Sequence, residues 1–330
     1  AIRSSGANHV QLEYSSYGWS RWGFSFAVNA LAFALRLRGH RLTVGLHEPY
    51  VHLTARPFQL ACRLVQRAHF ALLFLAASSI ETNTPQRVRR VQRWLPWRPQ
   101  RVRFRPTPSN IPVKALDAAE IAALRQQRGV SPRTVVIATF GSFHPAKNYE
   151  SVIDAALQLR ARHSVHLWLL GDPRSSAGYV ADLRRRAAPL GDAAFWPGHA
   201  PAEQISAWLQ AADIFVLPQS DGHLTRSGAF MAAAAHGLPA IAVRNDAEQG
   251  DFRHREHVYL VDECSCEALA TAILELAQDQ PLRSRLGANL RDLYFSRFDW
   301  TQFPRAGGEG PSAHATVTAT VTSPAAGSKG

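Results

Sequence analysis

Cysteine is scarce in this sequence: Cys62, Cys264 and Cys266 are the full complement in 330 residues. Three thiols cannot build a disulfide framework, and Cys264-x-Cys266 has no second Cys or His pair at zinc-ligand spacing. They read as buried or surface thiols of a protein kept in a reducing cytoplasm. Long apolar runs are also missing. The longest, residues 70–77, falls far short of the about 20 residues that cross a bilayer, and no secretory leader is visible. Acidic residues are few, 25 against 37 Lys and Arg, giving a formal net charge of +12 and an isoelectric point near 10.4. That excess implies an acidic partner: nucleotide, anionic lipid or nucleic acid. No Asp-x-Asp loop offers itself to a divalent cation, so no metal ligands are assigned. The chain opens on Ala rather than Met, and residues 1–8 supply neither a strand nor a glycine-rich turn. A fragment or processed product is therefore expected.

What is present is an α/β pattern. With 46% hydrophobic and 19% charged residues, the composition is that of a globular chain large enough for two domains. Residues 9–14 alternate as a short strand, and 17–23 form an aromatic, glycine-rich loop. Residues 27–38 place Ala27, Leu31, Ala34 and Leu35 on one helical stripe that Gly39 ends. A strand over 41–46 delivers His47 and Glu48 at its carboxyl end. Residues 58–68 read as a helix and 70–77 as a buried strand, after which Ser78 or Ser79 starts a short Arg-rich helix. Such alternation signals a parallel sheet with right-handed crossovers.

The same alternation continues in the second half, with its most informative stretch at 214–243, IFVLPQSDGHLTRSGAFMAAAAHGLPAIAV. A buried strand stops at Pro218, a polar loop comes next, and Thr225 or Ser227 caps a helix of small residues ended by Gly237 and Pro239. Ligands of open α/β sheets gather at the carboxyl ends of strands, where a helix N-terminus offers free N–H groups to an anion. Arg226 adds a charge able to grip phosphate, and Asp221, Gly222, Thr225 and Ser227 share its loop. The alanines alone would be explained by close helix-on-sheet contact. A second anion cradle comes after the strand 134–140: Gly141 permits close backbone approach, with Ser142 beside it, and Lys147 precedes the next helix. Strand 165–170 ends at Gly171, and a short strand near 195 ends at Gly198. Glu248 and Asp251 lie in a later polar loop, where they read equally as sugar ligands or plain loop charges.

The frame Leu217-Pro218-Gln219-Ser220, then Ala235-His236-Gly237-Leu238-Pro239, resembles the nucleotide-sugar-binding segment of GT-B-fold glycosyltransferases of the family 4 type. That family carries a pair of Glu whose positions are here Leu224 and Ala232; Asp221-Gly222, Arg226-Ser227 and His144-Pro145 are similar to a bacterial subgroup instead. Lys147 matches the family's diphosphate-binding Lys, whereas Ser142 stands where an Arg is common. The resemblance implies two Rossmann-like domains: a partial acceptor-side domain over 1–112 lacking its first strands, and a nucleotide-sugar domain over 113–303. A disordered tail is expected over 304–330. The resemblance further implies sugar transfer from a nucleotide sugar to a saccharide or lipid-linked acceptor, in a cleft between the domains. No cofactor is called for, the leaving diphosphate being stabilised by helix N-termini with Lys147 and Arg226 rather than by a metal. His47 would face the donor sugar from the N-terminal side, and His47 and Glu48 are the catalytic candidates.

Residues 87–105 hold eight arginines with Trp94 and Trp97 among them. They read either as a solvated basic face or as a patch docking on anionic lipid at the inner face of the plasma membrane. No nucleic-acid motif accompanies them, so nucleic acid is not expected as a partner. Two other functions compete: a degenerate glycosyltransferase that binds a nucleotide sugar without transferring it, and a sugar-nucleotide epimerase. The shortage of acidic loop residues argues against the epimerase.

Overall fold

A computed structural model describes residues 8–15, 19–20, 24–48, 57–172, 177–246 and 250–303, without the side chains of residues 48, 57–60 and 63. The tail over 304–330, residues 1–7, most of the 17–23 loop and Glu248 lie outside these. The chain divides into two compact units, the first reaching Pro106 and the second formed by Thr107–Phe303. The proline-rich segment belongs to the second from Thr107 onward. The Thr107 N–H donates to the Thr225 carbonyl at 2.9 Å, that of Ser109 to the Tyr294 hydroxyl at 3.1 Å, and Trp300 Nε1 to the Ser109 carbonyl at 2.8 Å.

In the first unit the order is β1 (His9–Ser15), α1 (Phe26–Leu37), β2 (Arg41–Glu48), α2 (Pro57–Ala76), β3 (Ser79–Thr82), α3 (Pro85–Trp94) and β4 (Val102–Phe104). All four strands are parallel and lie in chain order. Two expectations fail here. The apolar run 70–77 is no strand but the last turns of α2. Phe70, Leu73 and Phe74 are buried while Leu72 and Leu75 are exposed, which is the helical period. No breaker separates the run from the helix before it, and Ser79 opens the strand, leaving Thr84 to cap α3. In α1 the buried stripe is Val28, Ala32 and Leu35 with Asn29, and Leu31 is exposed, because the sheet meets the helix one position away from the expected face.

The interface of α2 with β1 buries His69 completely, against the rings of Tyr14 and Phe70, and neither imidazole nitrogen has a hydrogen-bond partner among the described residues. Burial pushes its pKa down to about 4, so the folded chain holds the ring neutral where the unfolded chain protonates it. Stability is therefore full above the unfolded value near 6.5 and drains as pH falls toward 4. Between pH 7 and pH 5 the loss is about 2 kcal/mol. Urea titrations at the two pH values are expected to show it in the wild type, and a His69→Phe chain is expected to lose most of that difference.

The second unit runs α4 (Ala118–Gln127), β5 (Val135–Phe140), α5 (Tyr149–Arg160), β6 (Val165–Leu170), α6 (Ala177–Ala187), β7 (Ala194–Phe195), α7 (Ala202–Ala211), β8 (Ile214–Val216), α8 (Gly228–Ala235), β9 (Ala240–Val243), β10 (Tyr259–Val261), α9 (Cys266–Gln278) and α10 (Gln280–Arg297). Its parallel sheet has the order β10-β9-β8-β5-β6-β7. The chain builds outward from β5 to β7, then returns to the other side of β5 with β8. The gap between β5 and β8 is thus a topological switch point, where helices leave on opposite faces and a crevice opens at the strand ends. The strands are buried on both faces, as parallel strands must be: Ile137, Leu167, Trp168, Leu169, Phe215 and Ile241 are all fully enclosed. Among the described residues no helix is long and apolar enough to cross a membrane.

Candidate functional site

At that switch point lies a cavity of about 560 Å³. Its wall is made by the residues just past each strand end: Gly141 and Ser142 after β5, Gly171 and Asp172 after β6, Gly198 and His199 after β7, and Gln219 after β8. Lys147, Arg226, Ser227 and the first residues of α8 also line it. The two expected cradles therefore open on one space. Of the residues read from the sequence, Gly141, Ser142, Lys147, Gly171, Arg226 and Ser227 line it.

Local geometry explains the glycines. The Gly141 N–H continues the sheet by donating to the Leu170 carbonyl at 2.9 Å, so the loops after β5 and β6 run side by side. Gly141 has φ +130°, which disfavours any L side chain, and a Cβ there would stand 3.1 Å from Lys147 Nζ. At Gly171 an added Cβ would meet the Gly141 carbonyl oxygen at 2.1 Å. Below both loops Phe143 lies against Tyr149 and Trp196, with ring centroids 4.9 and 5.6 Å away.

Lys147 closes a short 3-10 turn, Pro145–Lys147, and Asn148 then takes a left-handed conformation to start α5. The ammonium donates to Ser142 Oγ at 3.2 Å. No carboxylate pairs with it among the described residues, and half-burial lowers its pKa by desolvation alone. A cation held out of water beside a neutral hydroxyl is an arrangement that an anionic ligand completes.

Arg226 differs: its guanidinium pairs with Asp221. Asp221 and Gly222, expected beside it, do not line the cavity. The Asp221 carboxylate faces Arg226 and also accepts from the His223 N–H at 3.2 Å, while Asn245 Nδ2 donates to the Asp221 carbonyl at 2.6 Å. Gly222, with φ +61°, makes the tight turn between them, where a Cβ would lie 2.6 Å from that of Asn245. Thr225 is buried and offers its carbonyl to Thr107, so it too lies off the cavity wall. Ser227 caps α8, its Oγ accepting from the Phe230 N–H at 3.2 Å. Leu224 and Ala232 are fully buried and do not line the cavity. Asp251 is committed to Arg297 at 2.9 and 3.0 Å. Asn110, Asp172 and His199 line the cavity without having been expected to; His199 Nδ1 lies 3.4 Å from Asp172 Oδ2. The signal for Asp172 and His199 was position directly after a strand-terminating Gly; Asn110 had none.

In the first unit His47 lies near the end of β2 and bonds Glu13 of β1, Nε2 to Oε2, at 2.6 Å. Glu48 is the last residue of β2, paired in register with Ser15. The arginine run 87–105 is divided in its duties. Arg87 donates to the His47 carbonyl, Arg101 to the Ala77 carbonyl at 3.0 Å, and Arg105 pairs with Glu81 at 2.6 Å. Trp94 leans on the core, whereas Arg90, Arg93, Arg98, Arg103 and Trp97 are exposed.

Residues 134–279 match the family described as Glycosyl transferases group 1. Over 163 residues the chain is 27% identical to the lipopolysaccharide core biosynthesis glycosyltransferase LpsE of Rhizobium meliloti, covering 49% of this chain and 45% of that protein. It is also 27% identical, over 206 residues, to a GDP-mannose-dependent monoacylated alpha-(1-6)-phosphatidylinositol monomannoside mannosyltransferase of Corynebacterium glutamicum, covering 60% of this chain and 53% of that one. The chain thus spans about half the length of these relatives. Among solved structures, Anabaena HepE in complex with UDP superposes with a TM-score of 0.67 at 20% identity, covering 84% of this chain and 73% of that one. Sucrose-phosphate synthase of Thermosynechococcus elongatus superposes at 0.65, also at 20% identity, covering 91% and 71%. These likenesses establish the fold. The strands, glycines and cations around the cavity all fall within or beside the matched residues, which makes residues 134–279 a domain of the group 1 glycosyltransferases, carried by a chain of GT-B fold.

Proposed function

We propose that this chain binds a nucleotide sugar in the switch-point cavity and passes its sugar to a saccharide or lipid-linked acceptor. One observation carries the reading: Lys147, Arg226, the amino end of α8 and two strand-end glycine loops all open on a single space. Expelling a nucleoside diphosphate builds negative charge on its oxygens as the sugar departs. A desolvated ammonium, an oriented guanidinium and free helix N–H groups offset that charge without reorganising at the moment of transfer. Lys147 is the stronger element, since Arg226 already shares its charge with Asp221. With those groups in place the reaction needs no divalent ion and no organic cofactor.

The related proteins bear on donor and acceptor. The HepE structure holds UDP, and the Corynebacterium protein is named for GDP-mannose and a phosphatidylinositol mannoside. A membrane-borne acceptor would suit a cytoplasmic protein resting on anionic lipid through the exposed Arg90, Arg93, Arg98, Arg103 and Trp97. Leu224 and Ala232, buried and apolar where the resembled family carries Glu, favour one competing reading, a chain that holds the nucleotide but transfers nothing.

A panel of UDP- and GDP-sugars, each offered with Mg²⁺ and with EDTA, separates these. Transfer predicts that at least one donor is consumed at the same rate in both. Binding without consumption upholds the competing reading, and failure of every nucleotide to bind sinks both.

A further inference from the structure

The carboxyl end of the first unit's sheet holds a carboxylate and an imidazole in a built arrangement. Glu13 and Gly45 are register partners on β1 and β2. A Cβ on Gly45 would stand 2.2 Å from Glu13 Oε2, so the carboxylate lies over β2 in space that glycine alone leaves open. There Oε2 meets His47 Nε2, two residues further along the same strand, at 2.6 Å. Gln11 Nε2 donates to the other carboxylate oxygen at 2.6 Å, and Trp19 Nε1 donates to the Glu13 carbonyl at 3.2 Å. From α3, Arg87 grips the His47 carbonyl and also donates to Asn83 Oδ1 at 2.8 Å, fixing the backbone that carries the ring. The bond to His47 holds the Glu13 carboxyl below its usual range, and Arg105 beyond β4 adds to this in lesser measure.

An exposed ion pair needs none of this. Two long side chains meeting on a surface gain little and are rarely braced. Here a glycine makes room, a glutamine and a tryptophan brace the acid, and an arginine braces the partner. Half of the His47 side chain, 52%, remains exposed, and Nδ1 has no partner among the described residues. The ring is therefore anchored at one nitrogen and open at the other. A carboxylate accepting from Nε2 puts the proton there and leaves a lone pair on Nδ1.

We propose that Glu13 is a positioning residue for His47: it keeps the imidazole proton on Nε2 and so presents Nδ1 as hydrogen-bond acceptor to a saccharide hydroxyl. The identity of that hydroxyl as a sugar's rests on the transfer reading above; the fixed tautomer does not. Gly45 belongs to the same device, because its missing side chain is what lets the carboxylate arrive.

The test has a spectroscopic arm and a kinetic arm. Long-range proton–nitrogen correlation of the ¹⁵N-labelled chain at alkaline pH, with the His47 signals assigned by their loss in His47→Gln, reads the tautomer. The wild type is expected to show the proton on Nε2, and Glu13→Ala a mixture of both forms. In the kinetic arm, Glu13→Ala and Gly45→Ala are both expected to lower kcat about tenfold or more with the donor KM unchanged, and Glu13→Gln to fall between. A wild-type proton on Nδ1 overturns the proposal. So does a tautomer share and kcat in Glu13→Ala equal to the wild type's. If no donor is consumed but the Nε2 proton is present and released in Glu13→Ala, the positioning stands and the transfer reading falls. Gly45 lies in the core of the strand; should its variant fail to fold, the variants at Glu13, which is half-buried on an edge strand, still decide the matter.

Discussion

Replacing Lys147 by Met is expected to lower donor kcat/KM by about 100-fold or more while leaving the fold as stable as before, or slightly more so. The two halves of that result share a cause. Lys147 is a half-buried cation whose near neighbour in the cavity is the hydroxyl of Ser142, and desolvation alone lowers its pKa. The empty protein therefore spends stability to keep the charge there, and Met retains the stem while removing what is costly. A bound diphosphate reverses the balance, since a charge-assisted bond to phosphate is worth about 2 kcal/mol or more. Preorganised donors at a departing group are worth about 100-fold in rate. Thermal denaturation with and without nucleotide, beside donor kinetics, reads both. The pH dependence has a definite sign. An anion favours the charged ammonium, so wild-type nucleotide affinity is expected to weaken as pH rises through the lowered Lys147 pKa, and the Met variant to lack that weakening. Loss of stability together with activity would instead make Lys147 a structural residue.

Why could Lys147 be read from the chain at all? Its signal is local: a buried strand, a glycine, a short polar loop and a cation before a helix, all within residues 134–160. Arg226 was visible in the same way, and the parallel sheet makes such signals meet, because every strand delivers its following loop to one edge. The place of Asp221 was not legible, because its neighbour in space is Arg226, whose charge it takes up. Glu13 was not legible. Its meaning depends on a register that sets it opposite Gly45 and within reach of His47, and register is a property of pairing, not of either segment. The run 70–77 failed for a different reason. Eight apolar residues fit a short buried strand and a helix end equally well by composition, and here α2 continues through them until Ala76. What decides is which residues the sheet covers, and that is settled by packing.

Replacing Gly171 by Ala is expected to be among the most damaging single methyls in the second unit, costing about 3 kcal/mol of stability, the upper range for overpacking. It is also expected to abolish measurable nucleotide binding. The new Cβ would fall 2.1 Å from the Gly141 carbonyl oxygen and 3.0 Å from Phe143 Cε2. Neither neighbour can yield cheaply. Phe143 is fully enclosed against Tyr149 and Trp196. The Gly141 peptide is held by its bond to the Leu170 carbonyl at a φ of +130°. If the loop after β5 moves to make room, it carries Ser142 and the floor beneath Lys147 with it, and the cavity loses the geometry that meets a diphosphate. Gly178, near the start of α6, is the control: a Cβ there meets open space, so Gly178→Ala is expected to stabilise the chain by up to about 1 kcal/mol through helix propensity. Urea denaturation and nucleotide titration of both variants check the contrast. A Gly171→Ala chain with wild-type stability and affinity would mean that the strand-end loops are free to part, and the cavity would then owe nothing to their close approach.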